Sequence, residues 1–488
     1  METSIAESFR DRTVFVTGST GFLGKILTEK LLRSCSLKNI ALLVRSKKGL
    51  NSSQRITDIC NQSMFDRLRI EKPDFMTKIK TIDGDLEQPL LGLSSKDRDW
   101  LMENVNFVFH CAATIKFNEP LPIATRINIQ GTENLLELAT NMNNLKGFVH
   151  VSTAYSHCPR SEINEQFYPV SISAKELKHL IKRDENIHDV SVDWPNTYTF
   201  TKVLIENVIS TNENQFPISI FRPSIIGCTK SEPEPGWLDN NMNGVSGVIA
   251  PLIVGFLRTV QLSKDKTTDI VPVDYASNAL ICVMWDTVNR YRDGNKRNKV
   301  PKIYNFVSSV ESSINWDKFL QYTFETYRQV PPLESIWYMF CIFSANRWVV
   351  RISRFILHRI PGALVDLSFI IRGKNPKMLK MYKKIENMTD LLKEFTTREW
   401  KFDNSNTREL WSLLSQEDRK TFWFGFEEFD WKSYMQCTVH AIRKHVLHED
   451  LSNMTRALSK NRKLFWLHLF CIFLLICSVF QVYFMVMT

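Results

Sequence analysis

The stretch Thr13-Val14-Phe15-Val16-Thr17-Gly18-Ser19-Thr20-Gly21-Phe22-Leu23-Gly24 constrains this chain more than any other part of it. Its opening residues suit a buried strand, its glycines recur at every third position, and residues 25–32 carry the apolar periodicity of a helix. Gly18 lets the chain bend at the strand end, Gly21 lets backbone approach a pyrophosphate, and Gly24 lets helix and strand pack closely. The helix N-terminus then faces the phosphates. Thr17, Ser19, Thr20, Phe22 and Leu23 complete what reads as a dinucleotide-binding turn.

The next strand is Asn39-Ile40-Ala41-Leu42-Leu43-Val44, and after it, where an acid would meet a ribose 2'-hydroxyl, stand Arg45, Lys47 and Lys48. Cations there favour a 2'-phosphate, hence NADP(H), over the alternative of a solvated basic loop. Strand signals at 79–82, 106–110 and 147–151 alternate with helical ones, which calls for an α/β fold with a doubly wound parallel sheet. Gly84-Asp85-Leu86 closes the third strand on the adenine side. Cys111-Ala112-Ala113 follows the fourth, small residues against which a cofactor can lie, and Asn128 leads a helix beyond them. A later strand and turn, 218–227, brings Pro223, Ser224 and Ile225 past the nicotinamide.

Ser152-Thr153-Ala154-Tyr155 lies at the C-terminal end of the fifth strand, where doubly wound sheets hold their ligands. Downstream, Pro195-Asn196-Thr197-Tyr198-Thr199-Phe200-Thr201-Lys202 opens a helix on which Tyr198 and Lys202, four apart, share a face. A nearby ammonium favours the phenolate and moves a tyrosine from about 10 toward working pH, while the lysine also reaches ribose hydroxyls. A hydroxyl from Thr153 or Ser152 steadies the substrate oxygen. A tyrosine and lysine four apart recur by chance, but here they follow a cofactor turn and a hydroxyl pair in the order this chemistry needs.

The glycine spacing matches the extended short-chain dehydrogenases, and the chain as a whole resembles the fatty acyl-CoA reductases. The resemblance is carried by Thr17–Gly24, Val151-Ser152-Thr153-Ala154-Tyr155, the Pro195–Lys202 string, Pro235-Gly236-Trp237-Leu238-Asp239-Asn240 and Ile270-Val271-Pro272-Val273-Asp274-Tyr275. It implies an extended Rossmann domain over 1–330 and NADPH-dependent reduction of a long-chain acyl-CoA to a primary alcohol. Tyr198, Lys202 and a Ser152 or Thr153 hydroxyl form the reacting set. Two hydride transfers are implied, with coenzyme A expelled between them. Residues 331–455, including Trp400-Lys401-Phe402-Asp403 and Phe429-Asp430-Trp431-Lys432-Ser433-Tyr434, resemble the family's helical second domain, the male sterility domain. The aromatic run 422–429 fits a small core better than a ligand site. Between Gly247 and Arg258 the chain is poorer in glycine than the family, so its acyl slot is expected to differ in shape.

At 488 residues the chain has room for two or three units, and 44% hydrophobic against 23% charged residues describes a folded protein. Ten cysteines without a C-x-x-C pair argue against a disulfide framework or structural zinc and read as reduced thiols. His445 and His448 stand without a carboxylate motif, so no metal is expected. No apolar secretory segment follows Met1. Residues 464–487, however, contain no Asp, Glu, Lys or Arg, long enough at about 1.5 Å per residue to span a bilayer of about 30 Å. Trp466 and Tyr483 near its ends and Arg456, Lys460, Arg462 and Lys463 before it follow the aromatic and positive-inside pattern. The expectation is a tail-anchored protein of the endoplasmic reticulum or peroxisome whose body faces the cytosol, with the sequons at Asn51, Asn61, Asn387 and Asn453 unmodified.

The net charge of +10 is better explained by lipid headgroups or coenzyme A than by nucleic acid, for which no motif is present. Residues 336–343 form an apolar run too short to span a bilayer. Arg347, Arg351, Arg354 and His358 follow at helical spacing, a basic stripe suited either to the headgroup region or to an ordinary amphipathic helix. Oligomeric state has no signature in these motifs. Two other readings use the same apparatus: a membrane-bound hydroxysteroid dehydrogenase, which needs no second domain, and a non-catalytic NADPH-binding scaffold, against which Tyr198 and Lys202 speak.

Overall fold

Short apolar runs rich in β-branched and aromatic residues form the strands of one parallel sheet in the computed structural model of the chain. The structure describes residues 4–47, 49–183, 193–211, 216–239, 244–292 and 300–487. Lys48 and Asn240, each part of a motif named above, lie outside them. The strands are β1 (Thr13–Thr17), β2 (Asn39–Val44), β3 (Ile79–Asp83), β4 (Phe107–His110), β5 (Gly147–Val151), β6 (Ile218–Pro223) and β7 (Lys302–Phe306). Their spatial order is β7-β6-β5-β4-β1-β2-β3 and every neighbouring pair is parallel. β4 starts one residue later than the periodicity suggests, and Asn106 just before it ties the strand starts together through its side chain: its Oδ1 accepts from Thr13 N at 3.0 Å and its Nδ2 donates to the Asn144 carbonyl at 3.1 Å.

Alternation along β1 divides the core into two layers. Val14 and Val16 face helices α1 (Phe22–Ser34) and α4 (Val273–Arg292), and Phe15 faces α2 (Gly131–Thr140) and α3 (Thr197–Thr211). Order reverses between β1 and β4, and the C-terminal ends of these strands open the crevice in which such folds bind ligands.

The chain forms two compact units that interleave in sequence. The first comprises Met1–Trp237, Asp269–Ser313 and Trp400–Phe429, and the second Leu238–Thr268, Ile314–Glu399 and Asp430–Thr488. A single cut at residue 330 therefore follows neither unit. Within the first, Lys401–Phe402 pair in parallel with Glu162–Ile163, and the Trp400 indole donates to the Cys158 carbonyl at 3.0 Å. Phe422, Phe424 and Phe426 are buried there, with Phe426 5.7 Å from the rings of Tyr275 and Phe306, so this run is core.

The second unit holds α5 (Trp316–Gln329), α6 (Arg347–Arg354), α7 (Ile360–Ile371), α8 (Met378–Thr397), α9 (Trp431–Ala441) and α10 (Met454–Met487). The apolar run 336–343 ends in a strand, Ile342–Ser344, paired with Thr259–Gln261. His358 departs from the expected basic stripe. It is fully buried between α6 and α7, stacked on Tyr382 at 4.7 Å, accepting from Arg258 N at 3.1 Å through Nε2 and placing Nδ1 3.2 Å from Glu386. Burial lowers its pKa to about 4 despite Glu386, so it carries no charge at neutral pH. Arg354 is drawn to Asp390 at 2.7 Å, which leaves Arg347 and Arg351 of the stripe, both within 6 Å of the Trp348 ring. Among the described residues, one helix is long and apolar enough to cross a membrane, over Leu451–Ser478; the expected 464–487 lies inside α10.

Candidate active site

The turn between β1 and α1 has the geometry its glycines allow. Gly18 sits at φ +74°, and a Cβ on it would come within 2.7 Å of the Ala112 nitrogen, so β1 and the chain leaving β4 meet backbone to backbone. A Cβ on Gly24 would lie 2.2 Å from the Gly18 carbonyl oxygen, inside any tolerable contact. Gly21 caps the 13-residue α1 without a side-chain hydrogen bond, and its Cβ would meet one nearby atom, the Gly18 oxygen at 3.2 Å. The glycine thus keeps a cradle clear above the first amides of the helix, where an anionic group is favoured. Ser19 is buried, its hydroxyl directed at the Leu43 carbonyl, while Thr20 and Phe22 are partly exposed. Leu23 belongs to the core.

Across the crevice, at the ends of β5 and α3, Lys202 is almost fully buried and donates from Nζ to the Val151 carbonyl at 2.6 Å. Burial lowers its pKa to about 8, with the Cys111 and Glu206 charges opposing. The Thr153 hydroxyl lies close enough to the Tyr198 phenol to favour its ionised form, and Phe117 stacks on the tyrosine ring at 6.1 Å. The pKa of Tyr198 is raised, because loss of solvation outweighs the Thr153 hydroxyl. This reverses the expected lowering: the Lys202 ammonium is turned to a carbonyl, and the phenol is held protonated.

Ser152 and Thr153 separate cleanly. Ser152 donates to Glu206 Oε1 at 2.5 Å, and the same carboxylate takes Arg222 Nη2 at 2.6 Å and lies 3.1 Å from His157 Nε2, all buried. Burial would raise Glu206, but the Arg222 charge and the hydrogen bonds hold its pKa far below the usual range. Ser152 is therefore a member of a buried charge cluster behind the crevice, and of the two hydroxyls it is that of Thr153 that acts on Tyr198.

The other predicted residues fall along the same rim. Thr17 Oγ1 accepts from Ala112 N at 3.3 Å, which leaves its proton for His110 Nδ1 at 2.7 Å. His110 Nε2 then donates to Thr132 Oγ1 at 2.8 Å, and Thr132 to the Asn128 carbonyl at 2.6 Å. Burial pushes His110 down to about 3, which keeps it neutral as this order requires. Asn128 holds Thr114 through both amide atoms and donates to Thr201 Oγ1 at 2.9 Å, so it shapes the rim from beneath. Cys111, Ala112 and Ala113 are partly exposed along it. Pro223 ends β6 with its carbonyl on Ala154 N, Ser224 is buried with its hydroxyl unpaired, and Ile225 starts a short pairing with Ile270.

At the far end, Arg45 is half exposed and 3.5 Å from Asp85. Arg55, which the sequence reading misses, donates from Nη1 to the Arg45 carbonyl at 2.5 Å and brings a second guanidinium to the end of β2. Its only advance signal is its place in the helix Ser52–Cys60, after the Asn51–Gln54 capping box. Lys47 bridges to Leu50, and Leu86 packs under Gly131.

Comparison with known proteins gives a consistent result. Residues 16–280 match an NAD-binding family model described as male sterility protein, and 357–449 match a second model of that description. The chain is 38% identical over 467 residues to fatty acyl-CoA reductase wat of Drosophila melanogaster, covering 94% of this chain and 89% of that protein. It is 36% identical over 468 residues to fatty acyl-CoA reductase 1 of Xenopus laevis, covering 94% and 90%. Among solved structures, the terminal R domain of the myxalamid biosynthetic pathway superposes with TM-score 0.59 at 19% identity, over 89% of this chain and 90% of that one. A UDP-glucuronic acid 4-epimerase from Bacillus cereus in complex with NAD superposes with TM-score 0.50 at 13% identity, over 90% and 98%. These likenesses extend the Rossmann-type fold to both.

Proposed function

The chain belongs to the fatty acyl-CoA reductases, and from that premise we propose that it reduces long-chain fatty acyl-CoA to a primary alcohol with release of coenzyme A, using NADPH. A nicotinamide cofactor fits the cradle that Gly21 keeps open and the small residues Cys111–Ala113, and when bound it supplies the hydride, two being needed per thioester. Arg45 and Arg55, with Lys47 beside them, support the choice of NADPH because two guanidinium groups suit a 2'-phosphate better than a hydroxyl.

The observation that carries the reading is the Thr153 hydroxyl beside the Tyr198 phenol, with buried Lys202 on the Val151 carbonyl, at the strand ends next to the glycine turn. A reduction needs a proton donor at the carbonyl oxygen. Tyr198, kept protonated by burial, is in the right form to give one, and the Thr153 hydroxyl steadies the oxyanion as charge develops. Lys202, a cation below about pH 8, keeps its ammonium on the Val151 carbonyl one helical turn from Tyr198, at the strand end beside the crevice. Once a hemithioacetal has formed, proton transfer at the same oxygen assists collapse and loss of the thiol; the aldehyde then meets the same Tyr198 for the second reduction. α10 supports single-pass attachment to a membrane, with the basic residues of its N-terminal part, Arg456, Lys460, Arg462 and Lys463, on the cytosolic side.

The test is product analysis with NADPH or NADH and a panel of acyl-CoA chain lengths. Alcohol formed with NADPH, and lost in Tyr198→Phe, is the expected outcome. Turnover with sterols and none with acyl-CoA would overturn the assignment.

A further inference from the structure

Helices α6 and α7 are amphipathic the wrong way round for a water-facing surface. The residues that they and the helical segment Phe355–Arg359 joining them turn inward are Val350, Ser353, His358, Gly362 and Asp366, mostly small or polar. The residues they turn outward are large and apolar: Trp348, Ile352, Phe355, Leu364, Leu367 and Ile371, from 53% to 77% exposed. Isolated exposed apolar side chains are ordinary, but a continuous face of this kind marks an interaction site.

Charge identifies the partner. Residues 347–384 contain ten Arg and Lys and one acid, Asp366. That acid is buried and accepts the N–H groups of Lys377, Met378 and Leu379. Beyond it, Arg354 and Arg359 are paired with Asp390 and Glu386, and the cations that remain along the two helices and the turn after them are Arg347 and Arg351 over the Trp348 ring and Arg372, Lys374 and Lys377, exposed at and after the end of α7. A second copy would set like charge against like charge. Anionic headgroups above acyl chains satisfy both parts of the surface, cations to phosphate and apolar side chains to the acyl boundary.

We propose that the outward face of α6 and α7 lies in the headgroup region of an anionic bilayer leaflet, a second membrane contact besides α10. It rests on the reading of the chain as membrane-attached, and the two are separable. The full chain is reconstituted in phosphatidylcholine vesicles with or without about 30% phosphatidylserine, carrying brominated acyl chains that quench tryptophan at the boundary. Wild type minus Trp348→Phe reports Trp348, and wild type minus Trp466→Phe reports α10. The expected result is quenching of both, with Arg347→Glu/Arg351→Glu lowering the Trp348 signal at least about twofold and leaving Trp466 unchanged. Quenched Trp466 with unquenched Trp348 overturns the proposal while the anchor stands. Quenching of neither overturns the attachment as well. Trp348 quenching equal with and without phosphatidylserine overturns the headgroup assignment, and shielding that depends on protein concentration and not on lipid gives the face to a second copy.

Discussion

Ser152 and Thr153 are neighbours with similar hydroxyls, and the geometry assigns them opposite consequences. Thr153→Val keeps the shape of the side chain and removes the hydroxyl that acts on Tyr198. Loss of one group that stabilises a developing oxyanion typically costs about 10²–10³ in kcat, about 3–4 kcal/mol of barrier. Thr153 otherwise accepts only a long bond from Tyr155 N at 3.3 Å, so the fold should hardly register the change. Ser152→Ala removes a bond to a buried carboxylate, for which about 1.5–3 kcal/mol of stability is the usual size. Glu206 keeps Arg222 and His157, which favours the lower end. That corresponds to a melting point lower by about 2–4 °C for each kcal/mol, with kcat within about threefold of wild type. Both variants are assayed by alcohol formation under saturating substrate and by thermal unfolding. A kcat loss of about 100-fold in Ser152→Ala at unchanged melting temperature, with Thr153→Val active, would refute the assignment.

Burial holds Lys202 at about 8, below its ordinary 10.5, so activity should fall above about pH 8 as the ammonium is lost, and Lys202→Arg should shift that limb upward. The stability term has the opposite sense: between about 8 and 10.5 the unfolded chain holds the proton that the folded chain has released, so stability should rise with pH there, as calorimetry would register. Arg45→Asp should weaken NADPH about 10- to 100-fold while changing NADH little, with Arg55→Ala moving in the same direction; equal losses for both cofactors in binding assays would remove these residues from the site. Protease added to sealed microsomes should digest the chain before residue 460 and find no glycan at Asn51, Asn61, Asn387 or Asn453; a glycan-sensitive mobility would invert the topology.

The sheet was legible because its physics is local. Buried parallel strands are short apolar runs, and the glycine turn states its own backbone requirement, so β1 to β6 and the Gly18–Gly24 turn follow from residues alone. β7 and the 400–429 segment did not, since their place in the first unit depends on pairing and packing with residues far away in sequence, Ser219–Pro223 for one and Glu162–Ile163 for the other. Tyr198 and Lys202 share a helix as spacing requires, but the direction of the tyrosine shift was set by desolvation and by Val151, neither of which has a sequence signature. Ser152 and Thr153 could not be told apart because successive residues leaving a strand point to opposite sides, and what waits on each side, Glu206 or Tyr198, is tertiary information. His358 fitted a basic stripe by period; the wider-pitched helical segment Phe355–Arg359 between α6 and α7 breaks that period and takes it inside, against Tyr382.

The stoichiometry of the reaction tests the account most directly. One thioester needs four electrons to reach an alcohol, and one glycine turn suggests one nicotinamide site, so cofactor must exchange between two reductions at the same Tyr198. A long acyl chain favours retention of the aldehyde meanwhile, each buried methylene contributing about 0.8 kcal/mol. Measured together, NADPH oxidation, thiol release and product identity should give two NADPH per coenzyme A, alcohol as product and little free aldehyde, with both steps lost in Tyr198→Phe. One NADPH per coenzyme A with accumulating aldehyde would contradict it.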